Sequence, residues 1–401
     1  MSERIFVTGV GIISAIGFDC AETSVALQGS KSGIGRITTL NTFYKDEIPV
    51  AEVKAGVPEL SAMAKVAENG LFSRTSLLGI IAARQAVLQA QIRDISSART
   101  GVISATTVGG MDRSERFYQY YMKNSLRGRL RDIITHDCGD STESIADALG
   151  IKDHVSTIST ACSSSANAIL VGSRLIRNGI LDRVLVGGAD ALTLFTLNGF
   201  NSLMILDKKG CKPFDEERNG LTLGEGSGFL MIESESTVKK DPKTVLCEIT
   251  GYGNACDAFH QTASSPEGNG AYLSMKKALD TAGLEPRMID YINAHGTGTK
   301  NNDLSEGKAI ERLFGVSVPP CSSTKSFTGH TLGAAGAIEA VLCVLALRNQ
   351  WIYPNLGFKQ QMAELGFSPV TAFQYNIPVR NVMSNSFGFG GNNTSLIFSR
   401  N

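Results

Sequence analysis

The sequence predicts an α/β fold built from two similar halves, and two patterns carry this prediction. Short β-branched runs alternate with alanine-rich helical segments, and the strands are apolar throughout, which indicates sheets covered by helices on both faces. The order of these segments then repeats once along the 401 residues, which indicates an internal duplication. A hydrophobic content of 42% suits the large buried core that such a fold requires.

Strands and helices alternate in the order that this fold class requires. Strands are predicted at 4–9, 100–107, 183–192, 245–253, 289–299 and 381–391. Helices are predicted between them at 76–92, 162–177, 269–282 and 333–348. Each half therefore contains a helix that leads into a strand, a second helix with a small-residue start, and a strand with a glycine-rich end.

The duplication is clearest where the second helix of each half begins. The first half has STACSSSANA at 159–168, and the second has STKSFTGHTLGAAGA at 323–337. The charged stretch 233–243 is the best candidate for the joint, which divides the chain into halves 1–240 and 241–401. Two such halves facing each other place strand ends and helix starts around one crevice, where ligands bind in open α/β sheets.

Composition and charge argue against several classes of protein. The 38 basic residues balance the 38 acidic ones, so the net charge gives no reason to expect a nucleic-acid or anionic-membrane partner. No run of about 20 apolar residues predicts a membrane span, and the first residues lack the apolar core of a signal peptide. The eight cysteines are dispersed without a CxxC pair, which argues against a zinc site or a disulfide framework. We therefore expect a protein of the reducing cytoplasm.

Cys162, within STACSSSANA, permits two interpretations. A small buried cysteine in a crowded core is the more common case. The segment also predicts a strand that ends and a helix that begins near this point. The N–H groups of a helix start favour a thiolate and can bind an oxyanion. On this second interpretation Cys162 is a nucleophile.

Two of the five histidines lie in unusual glycine- and threonine-rich segments. His295 is in NAHGTGT at 293–299, and His330 is in TKSFTGHTLGAAGA at 324–337. A single histidine is more often a satisfied core residue, but glycine at these places indicates that the backbone approaches a ligand closely. One thiolate and two histidines fit acyl transfer through a thioester. Their spacing in the sequence does not match that of a metal site.

Two further segments leave alternatives open. NSFGFGGNN at 385–393 is either a pair of core phenylalanines on a flexible turn or a mobile gate whose backbone N–H completes an oxyanion hole. The segment 211–233 contains Asp215 and Glu225, which are able to act as an acid–base pair. A structural turn before a strand is the favoured interpretation of that segment.

With these segments in view, the chain resembles the elongating β-ketoacyl-acyl carrier protein synthases of types I and II, in the thiolase superfamily. The resemblance covers nearly the whole chain and rests on five motifs in order, TACSSS, KPFDEERNG with LGEGSG, NAHGTGT with a following Asp and Glu, STKSFTGHTLGAAGAIE and SNSFGFGG. It implies a five-layered αβαβα fold of two similar halves. It also implies decarboxylative condensation of malonyl-carrier protein with an acyl group, which extends a fatty-acid, polyene or polyketide chain by two carbons. Acyl chain length and pathway stay open.

The resemblance assigns roles to individual residues. Cys162 matches the acyl-accepting nucleophile. His295 and His330 match the two histidines that serve malonyl decarboxylation and stabilise the enolate. Phe389 matches the gating phenylalanine, whose N–H is expected to share the oxyanion hole with that of Cys162.

Other residues of the motifs support the reaction. Lys325 matches the active-site lysine and is expected to pair with Glu306, while Asp303 matches the neighbouring acidic position. The residues expected to contact substrate are Thr297, Thr299, Val108 and Phe387. The residues that match a structural monovalent-cation site of some members are Asn293, Glu339, Ser384 and Asn385. The sequence departs from the family at Lys300–Asn302, where many members have a glycine just before the aspartate, and this departure bears on the pocket rim.

The resemblance also implies partners and cofactors. No cofactor is expected beyond a structural Na⁺ or K⁺, and the partners are acyl- and malonyl-loaded acyl carrier protein and a second copy of the chain. The segment 113–131 carries six basic residues against one acidic residue, Glu115. Because the carrier protein is acidic in this family, this segment is predicted to border its dock; a solvated helix face is the alternative.

Three other functions fit parts of the pattern. A chain-length factor, which pairs with such a synthase without condensing, typically lacks the nucleophile that Cys162 supplies here. A degradative thiolase requires a second catalytic cysteine near the C-terminus, where this chain has SNSFGFGG. A cysteine protease also uses Cys and His, but the ordered set of motifs argues against it.

Overall fold

The computed structural model describes residues 3–67 and 70–401. Its strands are β1 (Ile5–Ser14), β2 (Ile34–Gly35), β3 (Val50–Ala51), β4 (Thr100–Ala105), β5 (His154–Ile158), β6 (Arg183–Asp190), β7 (Gly226–Ser234), β8 (Cys247–Cys256), β9 (Tyr291–Asn293), β10 (Cys321–Ser322), β11 (Asn381–Phe387) and β12 (Asn392–Ser399). Its α-helices are α1 (Cys20–Gln28), α2 (Val57–Ala64), α3 (Arg74–Gln89), α4 (Met111–Lys123), α5 (Cys138–Leu149), α6 (Ser164–Arg177), α7 (Leu194–Ser202), α8 (Glu235–Lys240), α9 (Asn269–Ala282), α10 (Lys300–Phe314), α11 (Lys325–Thr328) and α12 (Ala335–Asn349).

Ten of these strands form one sheet in the order β10-β9-β11-β12-β8-β1-β7-β6-β4-β5, while β2 and β3 pair separately. The order is symmetric about the antiparallel junction of β1 and β8. Moving outward on each side, the next two pairings are antiparallel and the last two are parallel. The repeated order of segments in the sequence therefore corresponds to a repeated topology, as predicted. The boundary between residues 240 and 241 stays a prediction.

Helices cover the sheet in the layers that the repeat requires. Helices α2, α3 and α5 pack on the outer face of the first half, and α9 and α10 pack on the outer face of the second half. Helices α6 and α12 lie against each other between the two halves. The two sheet halves and these three helical layers give the predicted αβαβα order.

The central helix α12 is apolar on every side apart from Glu339, as suits a helix that sheet and other helices surround. Every residue from Ala335 to Leu347 is buried. By length and composition alone, the 18-residue stretch Leu332–Asn349 is apolar enough to cross a membrane, but 89% of it lies inside this protein.

Two predicted elements differ from the structure in ways that matter for the site. The strand predicted at 289–299 ends at Asn293, and an irregular loop follows because Gly296 and Gly298 adopt positive φ values of 31° and 82°. The helix predicted at 162–177 begins at Ser164, so Cys162 lies in the turn that precedes it. Both turns open onto the crevice between the halves.

Candidate active site

Cys162 lies in a strained turn between β5 and α6. The preceding residue, Ala161, has a φ of 52°, a left-handed conformation that is uncommon for non-glycine residues. The Ser164 hydroxyl accepts a hydrogen bond from the Thr160 N–H at 2.8 Å and holds the turn closed. Gly388 packs against this turn, where a Cβ atom would lie 2.9 Å from the Thr160 carbonyl oxygen. The nucleophile turn and the turn that carries Phe389 are therefore in direct contact.

The thiol of Cys162 is buried and faces several polar groups. His330 Nε2 lies 3.0 Å from Cys162 Sγ, and the backbone N–H groups of Phe389 and of Cys162 itself are close enough to lower the pKa of the thiol. Burial raises the pKa of Cys162 to about 11, although the Lys325 charge and the Phe389 N–H act in the opposite direction. The backbone N–H groups act in the direction expected of a helix start, but burial has the larger effect and keeps the thiol protonated in the resting site.

The two histidines meet edge to face beside the sulfur. Their ring centroids are 5.4 Å apart and the rings are nearly perpendicular, at 88°. Burial, and then the charge of Lys325, hold the pKa of each ring well below its usual value, so both are neutral at pH 7. Lys325 Nζ lies 3.2 Å from His295 Nδ1. A lysine ammonium can only donate, so Nδ1 accepts, and the proton of neutral His295 is on Nε2.

The predicted pairing of Lys325 with Glu306 is wrong. The Lys325 ammonium donates to Glu339 on α12, and both side chains are buried. Glu306 instead accepts from the backbone N–H groups of His295 and Gly296, at 2.9 and 2.8 Å. Burial raises the pKa of Glu306 and of Glu339 to about 7. Glu306 therefore shapes the turn that holds His295, and Glu339 neutralises the lysine.

A second carboxylate supports the same loop. Asp303 accepts from the N–H groups of Thr297 and Phe214, at 3.0 and 2.8 Å. The hydroxyls of Thr297 and Thr299 are 2.9 Å apart and face the cavity. The loop from His295 to Thr299 is thus fixed from behind by carboxylates, which leaves its side chains free to meet a ligand.

A cavity of about 110 Å³ opens at the sulfur. The predicted residues that line it are Cys162, His295, His330, Thr297, Thr299, Phe387 and Phe389. Phe200, which the sequence did not single out, stacks on Phe389 with ring centroids 6.1 Å apart. Val108 does not line this cavity; it lies in the adjoining apolar cluster, which also contains Leu221 and Phe200. Pattern alone could not place these residues, because they are brought together only by the packing of the two halves.

A loop over residues 257–265 forms part of the mouth of the cavity. Its Gln261 carbonyl accepts from the Gly390 N–H at 2.7 Å, which ties it to the turn that carries Phe389. Asn301 accepts from the Ser264 N–H at 2.8 Å and donates to the Ser264 carbonyl at 3.3 Å. Asn301 belongs to the segment Lys300–Asn302, where the sequence departs from the family. Its two bonds to Ser264 therefore hold the loop 257–265 at the rim of the pocket.

The residues expected to bind a cation are only partly brought together. Asn293 and Ser384 are register partners on the adjacent strands β9 and β11. Among the residues that the structure describes, the buried oxygens Ser384 Oγ and Glu339 Oε2 have no hydrogen-bond partner. The side chain of Asn385 points away, since successive strand residues face opposite sides, and it bonds Glu306 and Ser395 instead.

The sequence spacing also concealed one feature of the site. The sulfur of Cys162 and one ring nitrogen each of His295 and His330 lie within 4.8 Å of one another, close enough for three ligands of one metal ion.

Asp215 and Glu225 have structural roles, as the favoured interpretation predicted. Asp215 accepts backbone N–H groups, and Glu225 forms a buried ion pair with Arg74.

The basic segment 113–131 comprises α4 and the chain that follows it. Arg113 is buried in an ion pair with Asp132 at 2.7 Å. The exposed basic residues are Arg116, Lys123, Arg127, Arg129 and Arg131. Four arginines of the segment line a separate cavity of about 550 Å³ at the surface.

Known proteins resemble this chain in both sequence and structure. Residues 2–238 match the family model described as the beta-ketoacyl synthase N-terminal domain, and residues 246–359 match the model of its C-terminal domain. The 3-oxoacyl-[acyl-carrier-protein] synthase 2 of Staphylococcus aureus strain N315 is 34% identical over 411 aligned positions, which cover 100% of this chain and 99% of that protein.

Two solved structures extend the comparison. The ishigamide ketosynthase/chain length factor matches with a TM-score of 0.95 and 30% identity, over 100% of both chains. A type II polyketide synthase ketosynthase, solved with its acyl carrier protein and bound to the hexaketide, matches with a TM-score of 0.90 and 25% identity, also over 100% of both chains.

Proposed function

Since the chain belongs to the β-ketoacyl synthase family, we propose that Cys162, His295 and His330 carry the chemistry of its condensation reaction. The chain is an acyltransferase that joins an acyl group to the two-carbon unit left by decarboxylation of malonyl-carrier protein. The observation that carries the proposal is the approach of His330 Nε2 to Cys162 Sγ, 3.0 Å apart. Two backbone N–H groups face the same sulfur.

The first step is acyl transfer to Cys162. Neutral His330 takes the thiol proton as the sulfur attacks the thioester carbonyl of the acyl carrier. The N–H groups of Cys162 and Phe389 bind the oxyanion of the tetrahedral intermediate, and one such donor is worth about 3–4 kcal/mol. The carbon–sulfur bond to pantetheine then breaks, and the departing sulfur takes the proton from His330.

The second step is loss of CO₂ from malonyl-carrier protein. As the carbon–carbon bond to the carboxylate breaks, the electron pair moves toward the thioester oxygen. His295 donates its Nε2–H to that oxygen, because Lys325 holds its Nδ1 as an acceptor. His330 stays neutral and provides the second N–H as its Nε2–H tautomer, which it can adopt once Cys162 is acylated and offers no proton to Nε2. Thr297 and Thr299 hold the pantetheine arm at the mouth of the cavity.

The third step forms the new carbon–carbon bond. The enolate carbon attacks the acyl carbonyl on Cys162, and the oxyanion again lies at the N–H groups of Cys162 and Phe389. Collapse of this intermediate releases the cysteine sulfur as a thiolate, which takes up one proton from solvent, and leaves a β-ketoacyl thioester on the carrier. The apolar cluster that contains Val108 and Phe200 adjoins the cavity, and we propose that it receives the acyl chain.

We propose that the reaction needs no redox cofactor and that a monovalent cation, where present, has a structural role. The unpartnered oxygens of Glu339 and Ser384 and the amide of Asn293 are oxygen donors of the kind that Na⁺ or K⁺ takes. Such a cation would balance buried oxygens near the lysine and would take no part in bond changes.

We further propose that the chain acts as a homodimer in the cytoplasm. Strand β5 ends the sheet, with no strand beyond it among the described residues, and its Val155 is 42% exposed. The neighbouring segment exposes further apolar side chains, namely Tyr118, Tyr121, Met122, Leu126, Leu130 and Ile134. All eight cysteines are free thiols, which suits a reducing compartment.

Transfer of an acyl group to Cys162 tests the proposed function. We expect that incubation with an acyl-loaded carrier protein adds one acyl group per chain, and that Cys162→Ala abolishes it, because Cys162 supplies the thiol that lines the cavity among the residues that the structure describes. Mass spectrometry of the intact chain measures the adduct. Cys211→Ala is the matched control, since it removes another buried thiol outside the cavity. Absence of the adduct on the unmodified chain would contradict the proposal.

A further inference from the structure

Three asparagines from separate elements meet behind the nucleophile turn. They are Asn167 on α6, Asn254 on β8 and Asn392 at the start of β12. The side-chain oxygen of Asn392 accepts three hydrogen bonds, from Ser163 Oγ at 2.9 Å, Asn167 Nδ2 at 2.9 Å and Asn254 Nδ2 at 2.8 Å. This oxygen is therefore the centre of the cluster.

The cluster is satisfied in one orientation of its amides. Asn167 Oδ1 accepts from Thr394 Oγ1 at 2.7 Å and from Asn254 Nδ2 at 3.1 Å, and Asn167 Nδ2 also donates to Thr160 Oγ1 at 2.9 Å. Ser163 Oγ, Asn167 Nδ2 and Asn254 Nδ2 each have a second acceptor nearby, but Asn392 Oδ1 is the acceptor that they share. Rotation of the Asn392 amide would replace this shared acceptor by a donor. A shared hydrogen-bond network of this kind favours one arrangement of the elements that it joins.

Asn392 also closes the turn that carries Phe389. Its backbone carbonyl accepts from the Gly388 N–H at 2.9 Å, while the Gly388 carbonyl accepts from the Gly391 N–H at 3.0 Å. Its side chain meanwhile holds Ser163, the residue after Cys162. One residue thus bonds both turns whose N–H groups face the reacting sulfur.

We infer that Asn392 is a positioning residue that fixes the two oxyanion donors, at Cys162 and Phe389, relative to each other. The inference rests on the proposed function. Acyl transfer and condensation pass through oxyanions at these donors, whereas loss of CO₂ uses the two histidines on other turns. Loss of the Asn392 acceptor therefore slows acyl transfer and leaves decarboxylation unchanged.

The variant Asn392→Leu tests this inference, because leucine has a similar volume and no acceptor. With saturating acyl-carrier protein, we expect acylation of Cys162 to slow about 10- to 100-fold, less than complete loss of one oxyanion donor costs. CO₂ release from malonyl-carrier protein, compared between Cys162→Ala and Cys162→Ala with Asn392→Leu, is expected to be equal. Rapid-quench mass spectrometry measures acylation, and labelled CO₂ measures decarboxylation.

Ser274→Ala is the matched control, since it removes a hydroxyl that bonds Ser395 on the same strand without reaching either turn. It is expected to leave both rates unchanged. If Asn392→Leu does not fold, Ser163→Ala decides the question. It removes one of the three donors to Asn392, and about 3-fold slower acylation with equal CO₂ release is expected.

Distinct outcomes overturn the inference and the proposed function. Equal loss of acylation and of CO₂ release in Asn392→Leu would show a merely structural role, and unchanged acylation would show no role. Either result overturns the inference alone. A chain with Asn392 intact that takes no acyl group on Cys162 overturns the proposed function and this inference with it.

Discussion

The resting state of Cys162 follows from two opposing effects on one atom. Burial disfavours the thiolate, whereas the Lys325 ammonium and the Phe389 N–H favour it, and burial dominates. The proton must therefore leave during acyl transfer, and His330 Nε2 is the acceptor within reach. A neutral imidazole suits this task, and burial keeps the pKa of His330 well below its usual value.

The alkylation of Cys162 by iodoacetamide reports this balance. Only the thiolate reacts, so a pKa of about 11 means that the rate continues to rise with pH up to pH 10 and shows no plateau near neutrality. Lys325→Met removes the charge that lowers the pKa of Cys162, so the rise is expected at still higher pH. Mass spectrometry of the Cys162 peptide measures both. A plateau below pH 8 would show a preformed thiolate–imidazolium pair instead.

At the residue scale, glycine-rich segments drew attention to His295 and His330, whereas Cys162 permitted two interpretations until the ordered motifs showed the family resemblance. The structure brings these three residues together. The partner of Lys325 was missed because it depends on which face of α12 turns toward the lysine, and α12 is apolar on all sides apart from Glu339. Asn392 was missed because three dispersed asparagines give no pattern in the sequence.

At the scale of elements, helix α4 and the chain that follows it combine two surfaces. Arg127 and Arg129 are exposed among other basic residues, and Leu126 and Leu130 are exposed beside them. We propose that the basic part steers an acidic carrier protein, because opposite charge raises the rate of encounter. The apolar part belongs to the proposed contact between chains.

Charge reversal tests the proposed dock. Arg127→Glu with Arg129→Glu is expected to raise the KM for acyl-carrier protein about 10-fold, with little change in kcat, since the charges act on encounter and not on chemistry. The matched control reverses two exposed basic residues on the outer face of the second half, Lys276 and Arg287. Condensation assays over a range of carrier concentrations measure the effect. A KM that stays the same in the double variant would exclude this dock.

Element-level prediction was accurate for regular segments and poor for the loops. The helix at 269–282 has the predicted bounds, because its apolar period is continuous and Gly283 ends it. The strand predicted through His295 stops early, because the carboxylates of Glu306 and Asp303 take up the backbone N–H groups that a strand would pair. Those carboxylates lie on α10, so no local pattern shows this competition.

At the scale of the whole molecule, the β5 edge of the sheet is a surface that pairs with no other strand among the described residues. A strand edge beside exposed apolar side chains favours association unless another chain covers it. The proposed second copy would bury Val155 at this edge. The nucleophile turn begins directly after β5, so the proposed contact would also bear on the site.

Sedimentation velocity tests the homodimer. The chain of 42.7 kDa is expected to sediment at twice this mass. Val155→Asp places a charge in the contact and is expected to shift the equilibrium toward the monomer, because a buried unpaired charge is costly. Val316→Asp, at a fully exposed valine of the second half, is the matched control. A monomeric unmodified chain at micromolar concentration would refute the homodimer.

The overall architecture was predictable because the order of predicted strands and helices repeats along the sequence. The single ten-stranded sheet was not, since the pairing of β1 with β8 joins strands that lie far apart in the chain. The cavity depends on that junction, which sets the distance between the two halves.

The symmetry of the sheet has a consequence for proton transfer in the site. The turn of Cys162 precedes α6 and the turn of His330 precedes α12, and these helices occupy equivalent places in the two repeats. The sulfur and the imidazole thus come from different repeats, and His330 Nε2 lies 3.0 Å from Cys162 Sγ. Any displacement of one repeat relative to the other therefore changes the distance over which this proton passes.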